Sequence, residues 1–517
     1  MRRWLYCFGV LLPGLLACAA RGPSPATLAE VGRADVAMRE GCYRCLEDAL
    51  AVFERLAAGP SGPPRARRGA FEAAVLLALR SKELGLDAAP FMSRARELAP
   101  LIATTDPVVL PPAAYLEAAE LVTGELSGLD PAERQLRTRR PRPRADLEPL
   151  PPRAAIEKAR PSDLVAEYLA LAIDCEEPVA RAEIKFDEVR ARHGDAPIIR
   201  YRLGICGRSA WLAPLRQADA RWADTLVFEG RQEMTMRPVA DVAKAAELFA
   251  AARSEFPESD AITLALAAAR NALSEYEVAL TLYDVVLIDL PTHRDAMLGK
   301  VMSLSYLNRH SEAIATATRM IDLGTWHIGD AYYWRAWNRY HIYALESGWA
   351  DVERATSLLV NTSVYTLAGF IAYARKEFET AIDRFDRAFA MDNTNCEAVW
   401  TAGLVHVELE TWTPAAAKFS RAMSCFASAA AQARTEIEET QRATYSEAVK
   451  ARRIAAAQKR VETSEHRKAQ AAFNAAQSYL RLGQKAEALG HIDVAAEHPL
   501  LKDKAATLRP AIEKMPQ

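Results

Sequence analysis

Beyond residue 16 the chain has no run of about 18 consecutive apolar residues, which argues against a membrane-crossing helix there. It has no surplus of one charge. The 65 lysines and arginines stand against 67 aspartates and glutamates, a net charge of −2, so a nucleic-acid-binding role lacks its main electrostatic support. Long β-branched runs are scarce, while alanine, leucine, glutamate and arginine dominate. These are strong helix formers, and an all-α fold is expected. Catalytic signatures are also missing: there is no HExxH, no G-x-S-x-G, no P-loop and no glycine-rich dinucleotide turn. The nine histidines are scattered and none pairs with a second ligand at metal spacing. No catalytic residue, metal site or cofactor is therefore expected, and the chain reads as a non-enzyme. At 517 residues it is too long for one simple core; several domains or a repeat array must divide it.

What is present begins with MRRWLYCFGVLLPGLLACAARGPSPA. Arg2 and Arg3 precede an apolar stretch, Trp4 to Leu16, of signal-peptide length and too short to span a bilayer comfortably. It closes on Leu15-Leu16-Ala17-Cys18, which resembles the lipobox of bacterial lipoproteins. Leu16 is bulkier than the usual occupant beside the small residue, and a plain secretory signal or an uncleaved anchor is the competing reading. The resemblance implies a signal peptide over residues 1–17, acylation of Cys18 (palmitate among the chains) and retention on a membrane. With alanine at position 19 it implies the periplasmic face of the outer membrane. Residues 18–30 are small and proline-containing and read as a tether.

Six cysteines remain in the exported part: Cys42, Cys45, Cys175, Cys206, Cys396 and Cys425. An even number in an exported chain invites disulfides. Spacing suggests 42–45, 175–206 and 396–425, the last two separated by close to one helical repeat. Buried free thiols are the alternative. Cys42-Tyr43-Arg44-Cys45 is followed by leucine, not the histidine of a haem site, and lies in helical surroundings. A disulfide stapling a helix start and a redox pair are the two readings left open.

Self-similarity near 34 residues is clear in the second half. Segments 259–292, 361–394, 395–428 and 466–499 align in register. Ala267, Gly369, Gly403 and Ala476 share one small position, and Ala279, Ala381, Ala415 and Ala488 another. Tyr283, Phe385, Phe419 and Ile492 fill a large apolar site four residues on. Val286, Ala388, Ala422 and Ala495 follow. Small residues let two helices approach closely, and the large residue is expected to plug the gap to the next hairpin. Pro291 and Pro499 stand where a second helix must stop. All four segments resemble tetratricopeptide repeats. The resemblance implies a right-handed superhelical solenoid of antiparallel helix hairpins. Degenerate repeats extend it over about residues 161–510: a second helix from Lys244 with its partner around Leu212–Gly230, a hairpin over Asp295–Leu323, and one over Gly329–Leu359, lengthened in the middle.

The expected organisation is N-terminal helical hairpins over 31–130, a Pro/Arg-rich linker over 131–160 containing the run Arg137 to Arg144, the solenoid over 161–428, a long charged helical extension over 429–465, and a last repeat with cap helix over 466–517.

The repeat resemblance also implies where partners are held. First helices line the inner face, and the register carries Ala261, Leu264, Ala268, Ser363, Thr366, Phe370, Tyr373, Glu397, Trp400, Leu404 and Val407 onto it. These are mixed apolar and aromatic residues, unlike the clamps that hold a peptide carboxylate. The densest aromatic segment is Trp326–Trp349. Helical spacing puts Trp334, Trp337 and His341 on one face, with Tyr333 and Tyr340 beside it, and Arg335 and Arg339 form a cationic stripe. A recognition surface and a bulky inter-repeat core are both open readings. Partner-binding candidates are thus Trp334, Arg335, Trp337, Arg339, Phe370, Tyr373, Trp400 and Leu404. The expected function is a lipid-anchored scaffold for an unidentified envelope protein or peptide, with no nucleic acid partner and no preference among oligomeric states. An accessory subunit of a solute transporter, or a glycan-binding activator of a cell-wall enzyme, is the alternative.

Overall fold

The structure, a computed structural model, describes residues 23–59, 62–102, 111–128, 156–176, 178–235, 241–324 and 328–516. The expected signal with Cys18, most of the Pro/Arg-rich segment, and Trp326 lie outside these residues. All regular structure among the described residues is helical, as the composition predicted, and no described helix is long and apolar enough to cross a membrane. The chain divides into two compact units, one ending at Leu266 and one beginning at Ala267.

The first unit opens with helices α1 (Pro25–Glu40), α2 (Tyr43–Ala57), α3 (Pro64–Leu84), α4 (Ala89–Leu98) and α5 (Pro112–Gly128); α1 begins inside the segment 18–30 expected to be a tether, where Ser24 caps it and Pro25 suits its first turn. Their assembly differs from simple hairpins. Every residue of α3 from Gly69 to Ser81 is buried, with α1, α2, α4 and α5 packed around it. A helix apolar on all sides belongs inside a core. The same core takes in residues beyond the Pro/Arg-rich segment, from α6 (Leu164–Asp174), α9 (Pro197–Cys206) and α11 (Thr225–Thr235). The shorter α7 (Pro178–Glu183), α8 (Phe186–Arg192) and α10 (Leu212–Ala218) lie between them in the chain, and α12 (Val242–Glu255) pairs with α11. Residues 31–130 and 161–266 therefore share one interior instead of forming a cap and a solenoid.

Arg80 stands in the middle of this apolar helix with no exposed side-chain surface. Its guanidinium donates to Gly41 O at 2.6 Å and to the equally buried Asp224, and ion-pairs with Glu83 at 3.1 Å. It lies 3.6 Å from the Tyr201 ring centre. Burial works against the Arg80 charge, and Tyr201, Asp224 and Glu83 more than offset it. His193 is buried against Glu167 at 3.1 Å. Burial pushes the Glu167 carboxyl up, but hydrogen bonds from His193 and Arg160 and the Arg160 and Arg192 charges hold it below the usual range.

Helix α13 (Asp260–Ala272) carries the boundary. The second unit continues with α14 (Tyr276–Asp289), α15 (Arg294–Tyr306), α16 (His310–Asp322), α17 (Ile328–His341), α18 (Leu345–Leu358), α19 (Thr362–Ala374), α20 (Phe378–Met391) and α21 (Cys396–Glu408). From α14 on, each helix packs on the next, and α15, α17, α19 and α21 also touch in succession. That is the contact pattern of stacked hairpins. The small positions are where close approach occurs. A Cβ on Gly369 would come within 2.6 Å of the Phe385 ring, and one on Gly403 within 2.8 Å of Phe419. The large residue thus fills the space inside its own hairpin in these repeats. Tyr283 reaches forward as expected, onto Gly299 of the following helix.

The turns repeat as well. Ser274, Asn308, Tyr343, Lys376, Glu410 and Gly483 all have positive φ and end the first helices. In each case the next residue's N–H reaches back five residues to a carbonyl at 2.8–3.0 Å, closing the left-handed cap that favours glycine. The first five positions lie 33 to 35 residues apart. The hairpin over Gly329–Leu359 is accordingly displaced by a single residue and not lengthened. Tyr343 is the costliest occupant, an aromatic residue at φ 61° that is 81% exposed. Tyr343→Gly is expected to stabilise the second unit by about 1 kcal/mol, read by urea denaturation; unchanged or lower stability would contradict the strain.

The charged helical extension expected over 429–465 is made by two repeat helices grown long. Helix α22 (Trp412–Arg442) and α23 (Glu447–Leu482) run on past their neighbours and pack along each other. Their seam is small, with Ala430, Ala433 and Ala457 buried. Arg434–Glu465, Arg453–Glu436 and Arg460–Glu436 ion pairs tie its flanks. Helices α24 (Lys485–Ala496) and α25 (Pro499–Glu513) complete the last repeat and cap.

Candidate functional site

Helix α17 carries aromatic residues at i, i+4, i+7 and i+8, so they gather on one face. Tyr333, Trp337, Tyr340 and His341 form one wall of an open groove of about 440 Å³. Ser363, Thr366, Leu367 and Phe370 of α19 form the other, with Asn395 at the edge. Ring contacts continue the surface in both directions. Trp337 and His341 are 3.9 Å apart between ring centres, and Tyr340 and Phe370 are 6.3 Å apart. Tyr306 meets Trp334 edge-on at 5.7 Å and stacks on Tyr276 at 4.8 Å. The aromatic run thus crosses α14, α15, α17 and α19. Phe370 leans on Phe385 of the hairpin core at 5.3 Å.

The groove carries no formal charge. Burial pushes the Tyr333 phenol up to about 12 and raises Tyr340. Burial, and then His310, lower the His341 imidazole. Asn395 has no free N–H donor. Its amide donates to Thr362 and Thr366 at 2.9 and 2.8 Å, and its oxygen accepts from Ala398 N at 3.2 Å, capping α21.

The structure separates the sequence candidates. Trp337 and Phe370 line the groove, together with Ser363 and Thr366 from the inner-face register. Trp334 stands beside Trp337 at 5.8 Å and packs toward the Met320 cluster. Tyr373 rests near Phe378 at 6.1 Å. Trp400 and Leu404 are partly covered by Ala475 and Tyr479 of α23, and Arg467 sits 4.7 Å over the Trp400 ring. Arg335 and Arg339 form no cationic stripe. Arg335 makes a two-pronged ion pair with Asp351 at 2.8 and 2.7 Å, and Arg339 joins the same carboxylate at 2.6 Å. Asp351 belongs to α18 and is 3% exposed, so both arginines turn into their own hairpin. The spacing of α17 showed that they share a face but not what faces them.

Sequence reasoning missed His310. Its ring lies parallel to that of His341 at 5.3 Å, and its Nδ1 is 2.9 Å from Asn338 Oδ1. The buried Asn338 spends its amide on Ser305 Oγ and Trp334 O, both at 2.7 Å. Its oxygen therefore accepts, and His310 donates to it from Nδ1. No sequence signal marks this pair, because the two histidines lie on helices of different hairpins.

The lowered His341 value has a testable sign. Folding favours the neutral ring, so stability from this group falls as pH drops through the ordinary histidine value of about 6.5. A proton NMR titration should place His341 below that value, and His310→Gln should move it back up. A titration at or above about 6.5 in the native chain would remove the argument.

All six cysteines are paired as their spacing suggested: Cys42 with Cys45, Cys175 with Cys206, and Cys396 with Cys425. Cys42 caps α2, and both sulfur-bearing residues of that pair are fully buried. A pair closed to solvent fits a staple, since exchange requires access for the attacking thiolate. No group of three or more metal-ligating side chains occurs among the described residues.

The stacked helix hairpins of the second unit, with a groove between two of them, form a tetratricopeptide-like helical-repeat fold, on the packing described above. No family model and no curated relative matches the chain. Among solved structures, the C-terminal part of a TPR repeat-containing protein from Cytophaga hutchinsonii is 14% identical, with a TM-score of 0.39, over 56% of this chain and 98% of that one. YrrB, described as a TPR protein with an unusual peptide-binding site, is 20% identical, with a TM-score of 0.30, over 35% and 93%. Yeast Tom70 is 12% identical, with a TM-score of 0.32, over 94% and 96%.

Proposed function

We propose that the protein is a lipid-anchored scaffold of a bacterial cell envelope, held through Cys18 at the periplasmic face of the outer membrane, which grips an extended segment of a partner protein. The observation carrying this reading is the aromatic groove between α17 and α19. Buried surfaces rich in Trp and Tyr dominate binding energy at interfaces, and a volume of this size lies within the range of about 300–1,000 Å³ common to ligand sites. The lipobox resemblance supports the location.

A photoreactive residue in place of Ser363, introduced in the native host, tests the groove. A crosslinked protein that disappears in Trp337→Ala supports the scaffold. Crosslinking to glycan strands alone moves the protein to the cell-wall reading, and no crosslink overturns both. Cys18→Ser is expected to release the protein from membranes; continued retention would overturn the anchor.

A further inference from the structure

We propose that the groove selects an uncharged apolar segment from within an extended polypeptide, centred on ring-bearing or branched side chains such as proline, leucine or tryptophan, and rejects charged residues and free chain ends. The proposal rests on the scaffold reading and names the chemistry of what the scaffold holds.

Charge complementarity is the argument. Of the groove-lining side chains, none carries a formal charge, and the nearest arginines of α17 are spent on Asp351. An incoming carboxylate or ammonium would lose hydration against Trp337, Tyr340 and Phe370 without gaining a counter-charge. Stripping water from an unpaired charge is costly. Both N–H donors of Asn395, the groove's natural partners for a terminal carboxylate, are spent on Thr362 and Thr366. What the walls do offer is ring faces with Leu367, and an apolar side chain loses nothing by lying there. Electrostatic fit of this kind sets specificity through the partners it rejects.

His341 gives the selectivity a pH edge. The titratable groups facing it are His310 from α16 and Tyr340 on its own helix; α19 brings only Ser363, Thr366, Leu367 and Phe370. The nearby Arg309 and Glu312 of the α16 turn pair with each other at 2.7 Å. Protonation therefore places an unpaired positive charge at the groove wall and weakens an apolar occupant.

The test uses the full chain, without its signal segment, on an array of ten-residue peptides. The peptides are acetylated and amidated at their ends, and the central four positions are varied over all residue types. The expected result is enrichment of Pro, Leu, Phe and Trp, with at least tenfold weaker binding when one central residue becomes Asp, Glu, Lys or Arg. Leaving the carboxyl end free should give no gain, and binding should weaken from pH 7.5 to 5.5. Ser363→Asp puts a charge in the groove at an exposed position in the first turn of α19, where an acidic residue suits the helix. It should fold normally and lose the apolar preference. Enrichment of charged peptides, stronger binding of free carboxyl ends, or a preference unaltered by Ser363→Asp would overturn the proposal. So would an array with no groove-dependent preference. A protein crosslinked through Ser363 in the host, combined with a charged preference on the array, would leave the scaffold reading standing and remove this one.

Discussion

Arg80→Met is expected to destabilise the first unit by about 3–5 kcal/mol, the cost of breaking a buried ion pair by removing one partner. The side chain lost is apolar along most of its length, and methionine replaces much of that volume. What is left behind is Asp224, with no exposed surface and with backbone N–H groups, among them that of Tyr43 at 3.1 Å, but no cation to pair with it. The Gly41 carbonyl loses its partner as well. Arg80→Met combined with Asp224→Leu should recover part of the loss, because an apolar pair of similar size often replaces a buried ion pair at little cost. Recovery stays incomplete, since Tyr43 N is then orphaned. Hydrogen exchange of the α3 amides, together with urea denaturation, measures both variants. A loss under about 1 kcal/mol for Arg80→Met would mean that the pair does not hold the unit together.

The second large effect lies in the repeat core. Phe385→Ala should cost about 3–5 kcal/mol, the usual range for deleting a fully buried aromatic ring. Gly369→Ala should cost about 1–3 kcal/mol alone, because the new methyl is driven into that ring and overpacks the hairpin. In the Phe385→Ala background its sign should reverse. The clash is then gone, and alanine exceeds glycine in a helix interior by about 1 kcal/mol. Equal effects of Gly369→Ala in both backgrounds would disprove the contact. Since Phe370 rests on Phe385, the first variant should also weaken whatever the groove binds.

The repeat was legible because its determinants are local. A small residue and a large one recur at helical spacing inside each 34-residue segment, and hairpin closure brings together only residues close in sequence. The recurring left-handed turns were not legible, since four of the first five carry serine, tyrosine, lysine or glutamate in place of a residue that tolerates positive φ. There the closing hydrogen bond and the packing of both helices override local preference. The groove was legible in part. Helix spacing collected Trp337, Tyr340 and His341, and the repeat register supplied Ser363, Thr366 and Phe370. It misjudged Arg335 and Arg339, whose orientation depends on Asp351 in the next helix.

By itself the sequence determined the all-helical state, the hairpins of the second unit and the aromatic character of one helix. All of these follow from periodicity and spacing along the chain. Only the tertiary structure decided that α3 is enclosed, that Arg80 joins segments nearly 150 residues apart, and that the groove is uncharged. Each depends on which side chain from a distant helix arrives opposite, and burial magnifies that choice because an unpaired charge is tolerated in water and not in a core.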